Sequence, residues 1–377
     1  MSGAARWPAS VRAAVKVGVE RTQIREFPWP ALGPDEGMLR VEACAVGGAE
    51  PEVYRGERWQ DIIMGHQVVG SIAAPGPLAR RMWQVEEGAR VVLQEYLPCK
   101  ACAWCLQGEY RFCPAADFFG ENPKRIGLMS TEPAPHLFGA FAEYLFLPWN
   151  VVIHRIPQDL PAALATLAIP LGNGVQWATF DVNAGPGKTV LVIGPGQQGL
   201  GCVIAARDAG ASRVILAGLS RDQRRLELSL ELGADHFIDV QTEDLEGRLR
   251  ALTGGTGVDV VIDTTGDPEG KNLQQYLKVV NQGAWLWVNC VEGAVPVRDI
   301  KKKFLTVRSG RGRTWQAVER ALRIITSRRF PLERMCTHTL GLEEVDLAIK
   351  ATAGREIRDA VHVIVDPWRR PVTVTRG

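Results

Sequence analysis

From Thr189 onward the sequence keeps a strand–helix–strand rhythm that few folds can satisfy. The apolar run Thr189–Ile193 meets the glycine-rich turn GPGQQG, a helix-like segment follows, and a second apolar run covers Arg213–Ala217. RRLELSLELGADHFIDV then supplies a helix and a strand, and GVDVVIDTTG and GAWLWVNCV supply two more apolar runs. Buried strands that alternate with helices form a parallel sheet covered on both faces. The fold class is therefore α/β, with a Rossmann-type doubly wound sheet at its centre.

The turn itself carries chemistry. Gly194, Gly196 and Gly199, with Gln197 and Gln198 between them, have the G-x-G-x-x-G spacing directly after a strand and before a helix. The first glycine allows the tight turn and the second lets the backbone approach a pyrophosphate. The third lets helix pack closely on strand, and the helix N-terminus supplies partial positive charge. A dinucleotide is the ligand that this arrangement implies. Its identity is decided at the end of the second strand, where an NAD-selective site places a carboxylate for the ribose hydroxyls. That position here is Gly218, followed by Ser220 and Arg221, which can hold a 2′-phosphate by charge-assisted hydrogen bonds. NADPH is the favoured reading. NADH stays possible, because Asp222 can compete for the ribose.

The chain before about Pro170 is turn-rich, with short alternating runs such as MLRVEACAV and GARVVLQEYL, the pattern of an antiparallel β unit. Within it Cys99, Cys102, Cys105 and Cys113 supply four of the eight cysteines of the chain. C-x2-C-x2-C-x7-C suits a tetrahedral all-thiolate zinc site with no open position, which is structural rather than catalytic. A disulfide pair is the alternative in an oxidising compartment. Cys44, Cys202, Cys290 and Cys336 are scattered and read as small buried apolar residues.

Charge excludes other classes. A formal net charge of +2 gives no footprint for a nucleic acid, and the Lys301–Lys303 run reads as a solvated turn. No apolar run approaches the roughly 20 residues of a membrane span. The N-terminal stretch lacks the apolar core of a secretory signal. A cytoplasmic protein with a small-molecule substrate, and no membrane partner, is expected.

Taken together, the cysteine lobe, GHQVVG at 65–70, GPGQQG, LELGAD at 230–235 and REIRDAV resemble the medium-chain dehydrogenase/reductase superfamily, in its zinc-containing alcohol dehydrogenase branch. The resemblance runs from about Val11 to Val365. It implies a GroES-like catalytic domain over 1–172 with a zinc lobe at about 95–115, a cofactor domain over 173–309, and a return to the first domain over 310–377. It also implies one structural zinc, a homodimer or homotetramer, and an approach of Arg358 to the cofactor pyrophosphate.

Relatives of that kind hold a second, catalytic zinc by a cysteine, a histidine and a later cysteine. Laid on this chain, those positions fall at Gly47, His66 and Asn173, and the glutamate beside the histidine is Gln67. Two thiolates are missing, and zinc ordinarily keeps three protein ligands at a catalytic site. Cys44 is offset by three residues, so its side chain points to the other face of a strand. Proton donors must then be organic: His66, Glu52 or Tyr54, with Asn173 nearby and with Trp59 and Trp177 lining the substrate pocket. The reading is an NADPH-dependent oxidoreductase for a bulky apolar carbonyl, enone or imine that works without a catalytic zinc. Two others fit the same residues: an alcohol dehydrogenase with an atypical zinc at His66 and Glu52, and a non-catalytic NADPH-binding sensor or assembly protein.

Overall fold

The computed structural model describes residues 7–58, 61–266, 271–289 and 296–370. They fall into a first unit, up to Leu167 and again from Cys336, and a second unit, Ala168–Met335. The first unit opens with strands β1 (Ser10–Gly18), β2 (Arg21–Pro28), β3 (Gly37–Ala45), β4 (Ile62–Ile63), β5 (Gln67–Ile72), β6 (Arg90–Gln94), β7 (Tyr144–Leu147) and β8 (Val152–Arg155). The second unit contains β9 (Thr189–Ile193), β10 (Arg213–Gly218), β11 (His236–Asp239), β12 (Val258–Asp263), β13 (Val280–Val288) and β14 (Thr306–Ser309). The chain then returns to the first unit as β15 (Cys336–Gly341) and β16 (His362–Asp366).

The first unit is β-rich. A small sheet runs β2-β1-β4, and a larger one runs β15-β16-β3-β5-β6-β8, with β7 paired to β3. In MLRVEACAV, Met38, Leu39, Val41 and Cys44 join the main core, while Ala43 and Ala45 face a small cluster with Ile364, and the ladder shifts register between Val41 and Ala43. Part of the segment 118–141 feeds this core. Leu137, Phe138, Ala140 and Phe141 are buried, and a Cβ at Gly139 would lie 1.7 Å from the Ile63 carbonyl oxygen.

The second unit is the doubly wound sheet expected from sequence. Its strands are parallel and run β11-β10-β9-β12-β13-β14. Val190–Val192, Val214–Ala217 and Val260–Ile262 are buried, as strands covered on both faces must be. Strand order reverses between β9 and β12, the point at which such sheets bind ligands beyond the strand ends.

The domain boundary needs correction. The return to the first unit begins at Cys336 and not at 310. The helix Trp315–Ser327, capped by the Thr314 hydroxyl accepting from the Ala317 amide, buries Val318, Ala321, Leu322 and Ile325 within the second unit. Its landing place is the helix Ala168–Gly174, where a Cβ at Gly172 would meet Val318 at 3.2 Å. The apolar face, rather than the loss of strand–helix alternation, decides where this segment belongs. Among the described residues no helix is long and apolar enough to cross a membrane.

Candidate active site

The cysteine lobe is preassembled. The four ligand sulfurs of Cys99, Cys102, Cys105 and Cys113 lie within 4.8 Å of one another, with Cys102–Cys105 at 3.5 Å and Cys99–Cys105 at 4.0 Å. Zinc with sulfurs at about 2.3 Å gives tetrahedral edges near 3.8 Å, so the residues fit the ion. All four are free thiols rather than disulfides. The amides of Ala101 and Cys102 lower the Cys99 thiol to about 6, whereas burial raises Cys105 to about 12. Backbone donors thus already face a thiolate at one corner. Gln94 fastens the lobe from below, donating to the Tyr110 hydroxyl at 2.8 Å and meeting His154 Nε2 at 2.9 Å.

In the second unit each turn glycine has a distinct reason. Gly194 adopts φ +95°, which side chains avoid. A Cβ at Gly199 would sit 1.8 Å from the Gly194 carbonyl oxygen, whereas one at Gly196 would meet nothing within 4 Å. The middle glycine therefore leaves open the face through which a pyrophosphate approaches the backbone. No side chain of the N-cap residue Gly196 caps the helix Gln197–Asp208. Gln197 is buried, while Gln198 turns to Asn173. Thr264, at the end of β12, donates to the Ile193 carbonyl at 2.8 Å and fixes the turn from across the switch point.

At the end of β10, Gly218 is pressed by the turn. A Cβ there would lie 2.9 Å from Cγ and Cδ of Pro195 and 3.1 Å from Leu226. Ser220 does not stand free to hold a phosphate: its hydroxyl donates to Asp239 at 2.5 Å. Arg221 extends outward, its side chain 80% exposed. Asp222 faces Arg225 at 3.1 Å rather than swinging back. In the first unit, Arg358 is exposed just before β16.

The histidine cluster holds a residue that sequence reasoning missed. His66 Nδ1 lies 2.5 Å from the carboxylate of Glu50, whose side chain is 4% exposed against 19% for the histidine. Glu50 begins the helix Glu50–Arg55. Residues two apart on a helix diverge by about 200°, so with Glu50 inward Glu52 points away, and it is exposed. The expected pairing of His66 with Glu52 is therefore replaced by His66 with Glu50. Sequence alone says that the two glutamates diverge on a helix but not which of them faces inward. Tyr54 is also withdrawn from the cluster: it is 1% exposed, its hydroxyl donates to the Glu20 carbonyl at 2.6 Å, and burial raises its phenol far above the ordinary range.

Around Gly47 the space is full. A Cβ on that glycine would lie 2.8 Å from each of Glu50 Oε2, Gln67 Nε2 and His66 Cε1. Cys44 is buried in the core, where desolvation raises its thiol well above the usual value. In the second unit, Asn173 Oδ1 accepts from the buried Arg313 guanidinium at 2.9 Å, and its Nδ2 donates to Gln198 at 3.1 Å. Both ends of the amide are used. Trp177 does not present its ring to a pocket. It is 5% exposed and stacks on Trp287 at 4.2 Å, with its Nε1 donating to Gly312. Trp59 lies outside the described residues. The only set of three or more metal-capable side chains among the described residues is the four-cysteine lobe.

Comparison with known proteins agrees with this architecture. Residues 33–158 match the family described as alcohol dehydrogenase GroES-like domain, and residues 199–327 match zinc-binding dehydrogenase. A Mycobacterium tuberculosis protein named "probable alcohol dehydrogenase" is 34% identical, covering 95% of this chain and 99% of the relative. The erythritol/L-threitol dehydrogenase of Mycolicibacterium smegmatis is 29% identical over 93% of this chain and 96% of its own. In fold, the chain resembles an alcohol dehydrogenase crystal structure from Thermotoga maritima, with a TM-score of 0.83, 22% identity, and 95% and 100% of the two chains covered.

Proposed function

The chain belongs to the zinc-binding, NAD(P)-dependent dehydrogenases of the medium-chain superfamily, and from that premise we propose that it reduces a bulky apolar carbonyl, enone or imine without a catalytic zinc. The observation that carries this reading is the donor set. The first ligand position has no side chain, and the room for one is taken by His66, Gln67 and Glu50. The oxygen at the third position is bound by a cation, Arg313. An ion beside His66 would find at most the imidazole and the Glu50 carboxylate, fewer than the three protein ligands of a catalytic zinc.

The lobe Cys99–Cys113 would hold the structural zinc and brace the loop between β6 and β7. The glycine turn and the amides of the following helix would bind the dinucleotide pyrophosphate. NADPH is the preferred cofactor in this proposal, with NADH also accepted, because residue 218 carries no carboxylate and Arg221 is exposed near the ribose end. When bound, the cofactor supplies hydride from its nicotinamide ring.

The chain itself must then supply a proton and stabilise developing negative charge. Glu50, whose carboxylate lies 2.5 Å from His66 Nδ1, stabilises the positive form of the ring, and His66 is the proton donor to the substrate oxygen or nitrogen. Buried Glu50 Oε2 and Gln67 Oε1 have no hydrogen-bond partner among the described residues, so both remain acceptors for a polar group of the ligand. Conjugated substrates suit this arrangement, since their charge spreads away from the carbon attacked.

Kinetics on a panel of ketones, enones and imines test the proposal. Glu50→Gln and His66→Asn should each lower kcat about 10²- to 10⁴-fold, with cofactor affinity nearly unchanged. Full activity in both variants would remove the pair from the reaction.

A further inference from the structure

At the end of β10 residue 218 carries no carboxylate, and the neighbouring strand β11 brings one beside it. Parallel register pairs Gly218 with Asp239, the last residue of β11. Pro195 and Leu226 close the space that a side chain at 218 would need. Asp239 is 8% exposed, and its oxygens accept from the Ser220 hydroxyl at 2.5 Å and from the Gln241 amide at 3.0 Å. Gln241 in turn accepts from the Ser220 amide at 3.0 Å. The Ser220 hydrogen bond, foremost, holds the Asp239 carboxyl below its ordinary value, so the group is negative at neutral pH.

We propose that Asp239 is the specificity-determining residue for the cofactor: a carboxylate supplied from β11 that engages Ser220 and opposes a 2′-phosphate. Ser220 has committed its proton to Asp239 and offers a ligand only acceptor lone pairs. A ribose hydroxyl can donate to those lone pairs, whereas an ionised phosphate cannot. Arg221 pulls the other way, and the balance lets the enzyme use both dinucleotides. The inference rests on the reading of Gly194–Gly199 as the pyrophosphate site and of Gly218–Arg221 as the ribose end.

The test is binding of NADPH and NADH to the full-length chain by nicotinamide fluorescence, with adenosine 2′,5′-bisphosphate and AMP as competitors. Asp239→Asn removes the charge and keeps an acceptor for Ser220. It should raise the preference for NADPH, and for the bisphosphate, by roughly tenfold over wild type. Ser220→Ala, which removes the hydroxyl but leaves the carboxylate in place, should raise that preference less than Asp239→Asn does. If wild type binds both cofactors and the Asp239→Asn ratio is unchanged, Asp239 is not the determinant, although the cofactor site stands. An equal rise in Ser220→Ala assigns the effect to the loop and overturns the electrostatic claim. Failure of wild type to bind either dinucleotide overturns the site and the inference together. Should Asp239→Asn fail to fold, Asp239→Ser reads the same ratio.

Discussion

In the proposed reaction the chemistry turns on Gly47 and Glu50. Gly47 carries no side chain, and the arm of Glu50 occupies the space beside it while reaching His66. Gly47→Cys should therefore fail to recruit a second zinc and should lower kcat at least tenfold by displacing the His66–Glu50 pair, read by metal analysis and by kinetics. Gain of a second zinc equivalent would show that the donor set is closer to complete than the packing indicates. Gly218→Asp, which by the ribose rule alone should favour NADH, should instead weaken both cofactors, because its Cβ drives into Pro195. A clean switch to NADH, with NADH affinity retained, would contradict that packing. Glu50 escaped sequence reasoning because helical phase is fixed by tertiary burial. Arg313 escaped because it meets Asn173 from 140 residues away along the chain.

Elements were more legible than the contacts between them. The strand Thr189–Ile193, the helix Trp315–Ser327 and the cysteine lobe follow directly from local pattern, since each draws on periodicity or spacing within one short window. Pairing is a different matter. Asp239 becomes important only through its register with Gly218, and the returning segment only through the strand it joins. At this scale the lobe gives a direct prediction. Cys105→Ser should release zinc and destabilise the first unit by more than about 3 kcal/mol, above the usual range for a point substitution, seen as lower Tm and lower metal content. Unchanged Tm with zinc retained would mean that three thiolates suffice.

For the molecule as a whole, the return from Cys336 helps complete the first unit. β16 pairs with β3, and its first residue, His362, meets the Thr166 hydroxyl at 2.8 Å with no exposure. Burial lowers the His362 imidazole from 6.5 to about 3. The folded state thus keeps it neutral, while the unfolded state takes a proton below its ordinary value. Its contribution is fully present above pH 6.5 and declines toward pH 3, by at most about 1.4 kcal/mol per pH unit. Urea denaturation at pH 7 and pH 5 should show a shallower loss in His362→Gln than in wild type, whatever its absolute stability. Equal losses would remove His362 from the acid response. A reaction centre without zinc is tested most directly by the metal content of an active, exhaustively dialysed preparation. One zinc per chain, held by the cysteine lobe, is the predicted result. Two zinc ions per chain, with anomalous scattering placing the second beside His66, would contradict it.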